Sequence, residues 1–146
     1  MTGRIQHEIR QSKPMSLAVE AHLNLQRTAT AVRQLVEETT TAVAGLKHTD
    51  YNVLRILRGA GEAGLATEQI RERLMAPDPM LPGVLGSLAN RGLLERHEQH
   101  RRITPAGLDA LSALDERVER TLTERMSRLP AADLRKLIDA LEQLRD

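Results

Sequence analysis

The sequence has no cysteine, no tryptophan and no phenylalanine, and Tyr51 is its one aromatic residue apart from the histidines. Without thiols there is no disulfide, no thiolate metal site, and no cysteine nucleophile or redox sensor. Without aromatic platforms the chain lacks the means to hold single-stranded nucleic acid by base stacking, or to wall a pocket with rings. No stretch approaches the ~18 consecutive apolar residues that suggest a membrane span. The opening MTGRIQHEIRQSKP has neither the apolar centre nor the small-residue cleavage site of a secretory signal. A cytoplasmic protein with no membrane partner is expected. No Ser–His–acid grouping, helical zinc motif or phosphate-cradling loop appears. The glycine run GAGEAG at 59–64 follows a helical pattern rather than a strand. No enzymatic role, cofactor or metal is therefore expected.

What remains is an aliphatic chain. Its 146 residues are 40% hydrophobic and 28% charged, which suits one globular domain with a core of Leu, Val, Ile, Ala and Met. Net charge is +1, and the positive excess lies in the middle. Residues 46–104 carry nine Lys/Arg against seven Asp/Glu, whereas 105–146 carry seven against nine. Three of the five histidines are also in the middle segment.

Residues 1–15 are polar and contain Pro14, which predicts a frayed arm or a short helix. From Leu17 to Leu46 the apolar residues Leu17, Ala21, Leu25, Ala29, Val32, Val36 and Val43 recur at helical spacing, interrupted in propensity by the weak helix formers Thr39–Thr41. So long a helix suggests a partner chain. Gly45 is placed to end it, and Thr49 to cap the next helix, with Asp50 in the first turn and Tyr51, Leu54 and Leu57 on the buried face. Gly59, Gly61 and Gly64 read as a loop, and Leu65-Ala66 as a very short strand. Thr67 is read as the cap of a helix that buries Ile70 and Leu74, and Met75–Pro79 as a turn. A second helix is expected to start near Asp78, with Pro79 at its first position, Pro82 about one turn in, and Val84, Leu85 and Leu88 inward. Gly92 is expected to close it. Leu93-Leu94 and Arg101–Thr104 then read as two strands, and Thr104-Pro105 as a helix start. The next helix carries Leu108, Leu111, Leu114 or Asp115, Val118, Leu122 and Met126. Leu129-Pro130 breaks it, and Leu134, Leu137, Leu141 and Leu144 form a leucine seam on a last helix. Met75, Met80 and Met126 are read as core or interface filler.

The order helix, turn, helix, hairpin, together with the blocks LKHTDYNVLRIL, ATEQIRERL, VLGSLANRGLLER and ITPAG, resembles the MarR family of bacterial transcription regulators over most of the chain. That resemblance implies a mainly α fold, a winged helix-turn-helix with long N- and C-terminal dimerisation helices and a small β wing. It implies an N-terminal arm and dimerisation helix over 1–45, a DNA-binding lobe over 46–104 and C-terminal dimerisation helices over 105–146. The implied partners are a second copy of the chain, a double-stranded pseudo-palindromic operator, and a small-molecule effector whose binding releases a repressor from DNA.

Carried onto this sequence, the second helix enters a major groove and the hairpin reaches toward the neighbouring minor groove. The DNA-contacting set is then Thr67, Met80, Pro82, Gly83, Ser87, Asn90 and Arg91, with Arg96, His100, Arg101 and Arg102 from the wing. Ser87 and Asn90 supply polar base contacts, and Met80 or Leu81 apolar ones to thymine methyls. His97 and His100 are read as exposed polar residues of the wing tip. His22, His48 and Tyr51 are candidates for the effector pocket that the resemblance implies; a metal held there by the two histidines is not favoured. The chain departs from the family in two ways. Its recognition helix has Pro82, Gly83 and Ser87 where a relative carries Ser/Thr and Arg/Lys, and its wing is short. An alternative reading follows: a dimeric MarR-like interaction module that has lost sequence-specific DNA binding.

Overall fold

A computed structural model describes residues 3–146. The chain divides into two compact units between Leu35 and Val36, inside one long helix.

In the first unit, α1 (Arg4–Glu8) is a single short turn of helix with Ile5 buried. Its Glu8 meets Arg4 at 2.7 Å and Arg27 at 3.7 Å. The long helix α2 (Leu17–Ala44) then runs for 28 residues, ~42 Å at 1.5 Å per residue. Within this unit none of its residues is buried; Leu17, Val19 and Leu25 are exposed.

In the second unit the last turns of α2 lead through an elbow into α3 (His48–Ala60). The Thr39–Thr41 run has a use that helix propensity does not reveal. The Thr40 hydroxyl, fully buried, donates to the Leu46 carbonyl at 2.7 Å, and Thr41 reaches the same oxygen at 3.1 Å. The chain therefore turns directly after Gly45. α3 starts two residues earlier than expected. Lys47, not Thr49, occupies the cap position, and its N–H is accepted by the Asp50 carboxylate at 2.8 Å. A 3-10 turn, Gly61–Ala63, occupies the glycine run.

Next, α4 (Thr67–Arg73) is capped at Ala66, whose N–H donates to Gln69 Oε1 at 2.9 Å, so Thr67 is the first helical residue and not the cap. α5 (Leu81–Asn90) begins two residues later than the sequence suggests, because Asp78 forms a turn of its own: its Oδ1 accepts the Met80 N–H at 2.9 Å. Met80 is the cap, and Pro82 falls at the second helical position, where a missing N–H costs nothing. Leu81 is fully buried and is withdrawn from any contact with thymine. Gly92, at φ +72°, ends α5: the Leu93 N–H donates to Leu88 O and the Gly92 N–H to Ala89 O, the paired bonds of a left-handed helix stop.

The wing follows. β1 (Leu94–His97) pairs antiparallel with β2 (His100–Ile103) in the register Leu94↔Ile103, Glu95↔Arg102, Arg96↔Arg101 and His97↔His100. Each strand starts one residue away from the expected place, and the histidines close the hairpin as its last pair. Leu65 adds a single bridge to Arg101. Thr104 caps α6 (Pro105–Met126): its hydroxyl accepts the Gly107 N–H and donates to Gly92 O, which hooks α6 to the end of α5. α7 (Ala131–Gln143) completes the chain.

The core of this unit is aliphatic. Leu46, Val53, Leu54, Leu57, Ile70, Leu81, Leu88, Leu94, Leu111 and Leu114 are fully or almost fully buried in one cluster. Each such leucine contributes ~1.5–3 kcal/mol relative to exposure. On α6 it is Leu114, not Asp115, that points inward, while Leu108 is exposed and Asp115 pairs with Arg58 at 2.8 Å. α7 has no buried residue: Leu137, Ile138 and Leu144 are exposed, and Leu134 and Leu141 half-buried. No helix among the described residues is long and apolar enough to cross a membrane.

Candidate nucleic-acid interface

The residues that the sequence points to fall on three adjoining elements: α4, α5 and the wing. α5 buries Leu81, Leu85 and Leu88, three and four apart, and its opposite side is exposed. That outer side consists of Pro82, Gly83, Gly86, Ser87, Ala89 and Asn90. It carries no charge. A Cβ added at Gly83 or Gly86 would meet no atom within 4 Å, so the backbone itself lies open there. Such a face admits a close neighbour without a side chain in the way. Ser87 offers a hydroxyl that donates or accepts, and Asn90 an amide that can do both at once.

Met80 lies at the head of α5 and Met75 in the turn before it, 68% and 89% exposed. A helix that starts at Leu81 leaves the whole turn outside the core, so neither is core filler, and interface filler, the other half of that reading, is compatible with their exposure. Met126 is half-buried. Thr67 is half-buried at the start of α4. The sequence reading missed Gly86 and Arg73. The first is on the same helical face as Gly83 and Asn90, and spacing alone was enough to find it. Arg73 is exposed in the last turn of α4 and has no carboxylate partner among the described residues.

Strand alternation sorts the wing side chains by face. Arg96 and Arg101 stand opposite each other on the face that carries Leu94 and Ile103 into the core. Neither guanidinium meets a carboxylate among the described residues; Arg96 Nε donates to the Glu98 carbonyl at 3.0 Å. Like charges directly opposite are destabilising, and a bound anion between them relieves that. The other face holds the Arg102–Glu95 ion pair, 2.6 Å, and the His97–His100 pair. Arg102 is thus partly neutralised within the hairpin, a difference from Arg101 that residue type does not disclose.

Arg91 is placed differently from the rest. Its Nη1 donates to Gly45 O and its Nη2 to Ala44 O, each at 3.0 Å, on the last carbonyls of α2.

Of the candidate effector residues, His22 is exposed on α2 in the first unit, and His48 and Tyr51 lie on α3 in the second. His48 is half-buried, 3.2 Å from Asn52 Nδ2 through its Nδ1. Tyr51 is buried, and Arg55 sits 5.4 Å from its ring centre. Burial pushes the Tyr51 pKa above the usual 10.0, against the opposing pull of the Arg55 charge. Among the described residues no cluster of three or more His, Asp or Glu side chains suits a metal ion.

Helix-turn-helix followed by a two-stranded wing defines the fold as a winged helix, and comparison with solved structures narrows it to the MarR type. A MarR-family transcriptional regulator from Silicibacter pomeroyi superposes with a TM-score of 0.77 at 19% identity, over 99% of this chain and 96% of that one. Sco3205, a MarR-family regulator from Streptomyces coelicolor solved in complex with DNA, superposes at 0.77 with 16% identity, over 92% and 91%. The PcaV regulator from Streptomyces coelicolor, solved with its natural ligand, superposes at 0.74 with 24% identity, over 92% and 97%. No protein-family model matches the sequence, and no curated protein matches it either.

Proposed function

We propose that this protein is a cytoplasmic, homodimeric transcription regulator of MarR type that binds a pseudo-palindromic DNA duplex. The reading places the exposed side of α5 in a major groove and the wing along the neighbouring backbone or minor groove. Residues 46–104 form the DNA-binding lobe, while 1–45 and 105–146 supply the dimer contacts. Phosphate contacts come from Arg96, Arg101 and, once released from Glu95, Arg102, with His100 beside them. Sequence is read by Ser87 and Asn90 and by apolar contact from Met80 and Pro82, with Gly83 and Gly86 allowing the helix backbone to approach the bases. Thr67 adds a contact at the start of α4.

The observation that carries this reading is the opposed, carboxylate-free pair Arg96–Arg101 on a wing adjoining an open, uncharged helix face. The fold shared with a regulator solved on DNA supports it. By analogy with PcaV, a small molecule is the expected effector, with His48 as a contact on α3, and release of a repressor from DNA is the expected response. Fluorescence anisotropy with duplex fragments from upstream of its own gene tests the proposal. Binding at low salt no tighter than to random duplex would sink it.

One observation favours a second reading. The exposed side of α5 has no charged residue at all. A dimeric interaction module without sequence-specific DNA binding is consistent with that. Replacing Arg101 and Arg102 by alanine separates the two: DNA binding is lost under the first reading, and little changes under the second.

A further inference from the structure

The two ends of α5 are fastened to the two sides of one elbow, the end of α2 and the first turn of α3. At the C-terminal end the Arg91 guanidinium spans two successive carbonyls, Ala44 O and Gly45 O. At the N-terminal end the Asp78 carboxylate is divided: Oδ1 accepts the Met80 N–H, and Oδ2 accepts the Thr49 hydroxyl at 2.8 Å. The elbow has its own bracing. Beyond the threonine hydroxyls on Leu46 O, the His48 N–H donates to Glu37 Oε2 at 2.8 Å and the Lys47 N–H to Asp50 at 2.8 Å.

Two attachments do what one cannot. A rod held at one end pivots. At 1.5 Å per residue α5 is ~15 Å long, so a swing of ~10° about one end carries the other end through roughly 2–3 Å. That exceeds the tolerance of a hydrogen bond to a base edge. Carbonyls at the C-terminal end of a helix have no partner within it and carry partial negative charge. A planar guanidinium meets two of them with two N–H groups in fixed geometry, which a lysine ammonium does not reproduce.

We infer that Arg91 and Asp78 are positioning residues, which hold α5 at a fixed angle to the elbow, and that Arg91 serves DNA recognition without touching DNA. The inference rests on the DNA-binding reading above. It replaces the expectation that Arg91 contacts DNA.

The variants are Arg91→Ala, Arg91→Lys and the near-isosteric Thr49→Val. Each is compared with wild type by anisotropy over a salt series, on a duplex selected by the wild-type protein from a random pool and on an unselected duplex. Amide hydrogen exchange is followed on the DNA-free proteins. Arg91→Ala is expected to weaken the selected duplex tenfold or more, with the unselected duplex and the salt slope unchanged. Lysine rescues only in part, and Thr49→Val repeats the pattern more weakly. Exchange quickens in Leu81–Asn90 and stays slow in Val53–Leu57. A loss of about one unit of log–log salt slope in Arg91→Ala, with full rescue by lysine, marks a phosphate contact and overturns the inference. Unchanged exchange in α5 overturns it as well. If wild type selects no duplex, the DNA-binding reading fails by itself, and exchange in α5 still decides whether the clamp exists.

Discussion

The carbonyl oxygen of Leu93 stands 2.2 Å from the point where Gly107 would carry a Cβ. The first turn of α6 is pressed against the start of the wing, with the Ile103 side chain only 2.7 Å from the same point. Gly107→Ala therefore forces two backbone segments apart. Overpacking of this kind costs ~1–3 kcal/mol or more. Thermal unfolding is expected several degrees below wild type, at ~2–4 °C per kcal/mol for a chain of this size. An unchanged melting temperature would contradict the close approach.

Gly86 predicts the opposite sign. Its missing Cβ faces open space on the exposed side of α5. Gly86→Ala should stabilise by ~1 kcal/mol, the difference in helix propensity. Gly86→Glu should fold as well as wild type yet lose DNA binding more than tenfold, because a carboxylate then stands where the proposed binding mode brings the bases. Melting curves and anisotropy on the two variants separate the effects; tight binding by Gly86→Glu would remove α5 from the interface.

On the wing, Glu95 restrains Arg102 across the register. Glu95→Ala removes a negative charge and frees a positive one, so affinity for unselected duplex should rise and the salt slope should steepen by about one. Arg101→Ala should flatten the slope by about one. Equal slopes in all three proteins would mean that the wing does not touch phosphate.

α7 shows an apolar stripe, Leu134, Leu137, Ile138, Leu141 and Leu144, without a single buried residue. The proposed homodimer would cover that stripe with a second copy. Leu137→Asp with Ile138→Asp is expected to convert a dimer into a monomer in sedimentation velocity. A wild-type protein that sediments as a monomer at micromolar concentration refutes the dimer contact.

Tyr51 predicts a dependence on alkaline pH. Its folded pKa lies above the unfolded 10.0 because burial disfavours the phenolate. The folded chain therefore keeps this proton at pH values where the unfolded chain has lost it. The associated stability is fully present below pH 10.0 and falls away as pH rises through the folded value. Tyr51→Phe should show a shallower decline of the urea midpoint above pH 10. A decline as steep as wild type would assign it to other groups.

Much of the second unit was legible in the sequence. Gly92 and Thr104-Pro105 punctuate it with signals that act on the local backbone, and Leu85 and Leu88 or Leu54 and Leu57 declare a helix face by spacing alone. The displaced helix starts share one cause. By residue type Thr49, Thr67 and Asp78 each suit the nearest helix start. Lys47 and Ala66 took the first two cap positions, because Asp50 and Gln69 reach back to the backbone N–H. The third became a turn that pushed α5 back to Leu81, and with it Met75 and Met80 went outside. Capping is a competition among neighbours a few residues apart, and single-residue preference does not rank them.

The candidate site divides in the same way. Residue type and period by themselves determined an aliphatic, thiol-free chain, a helix-turn-helix with a wing, and the lack of charge from Leu81 to Asn90. These follow from backbone propensity and solvent preference, which are local. Only the tertiary structure decided which groups each arginine meets. Arg91, Arg96, Arg101 and Arg102 are alike in composition. Strand register sets Arg96 against Arg101 and pairs Arg102 with Glu95, and the meeting of residues 46 positions apart turns Arg91 toward the end of α2. A guanidinium takes its role from the acceptors within ~3 Å of it, and those are brought there by the fold.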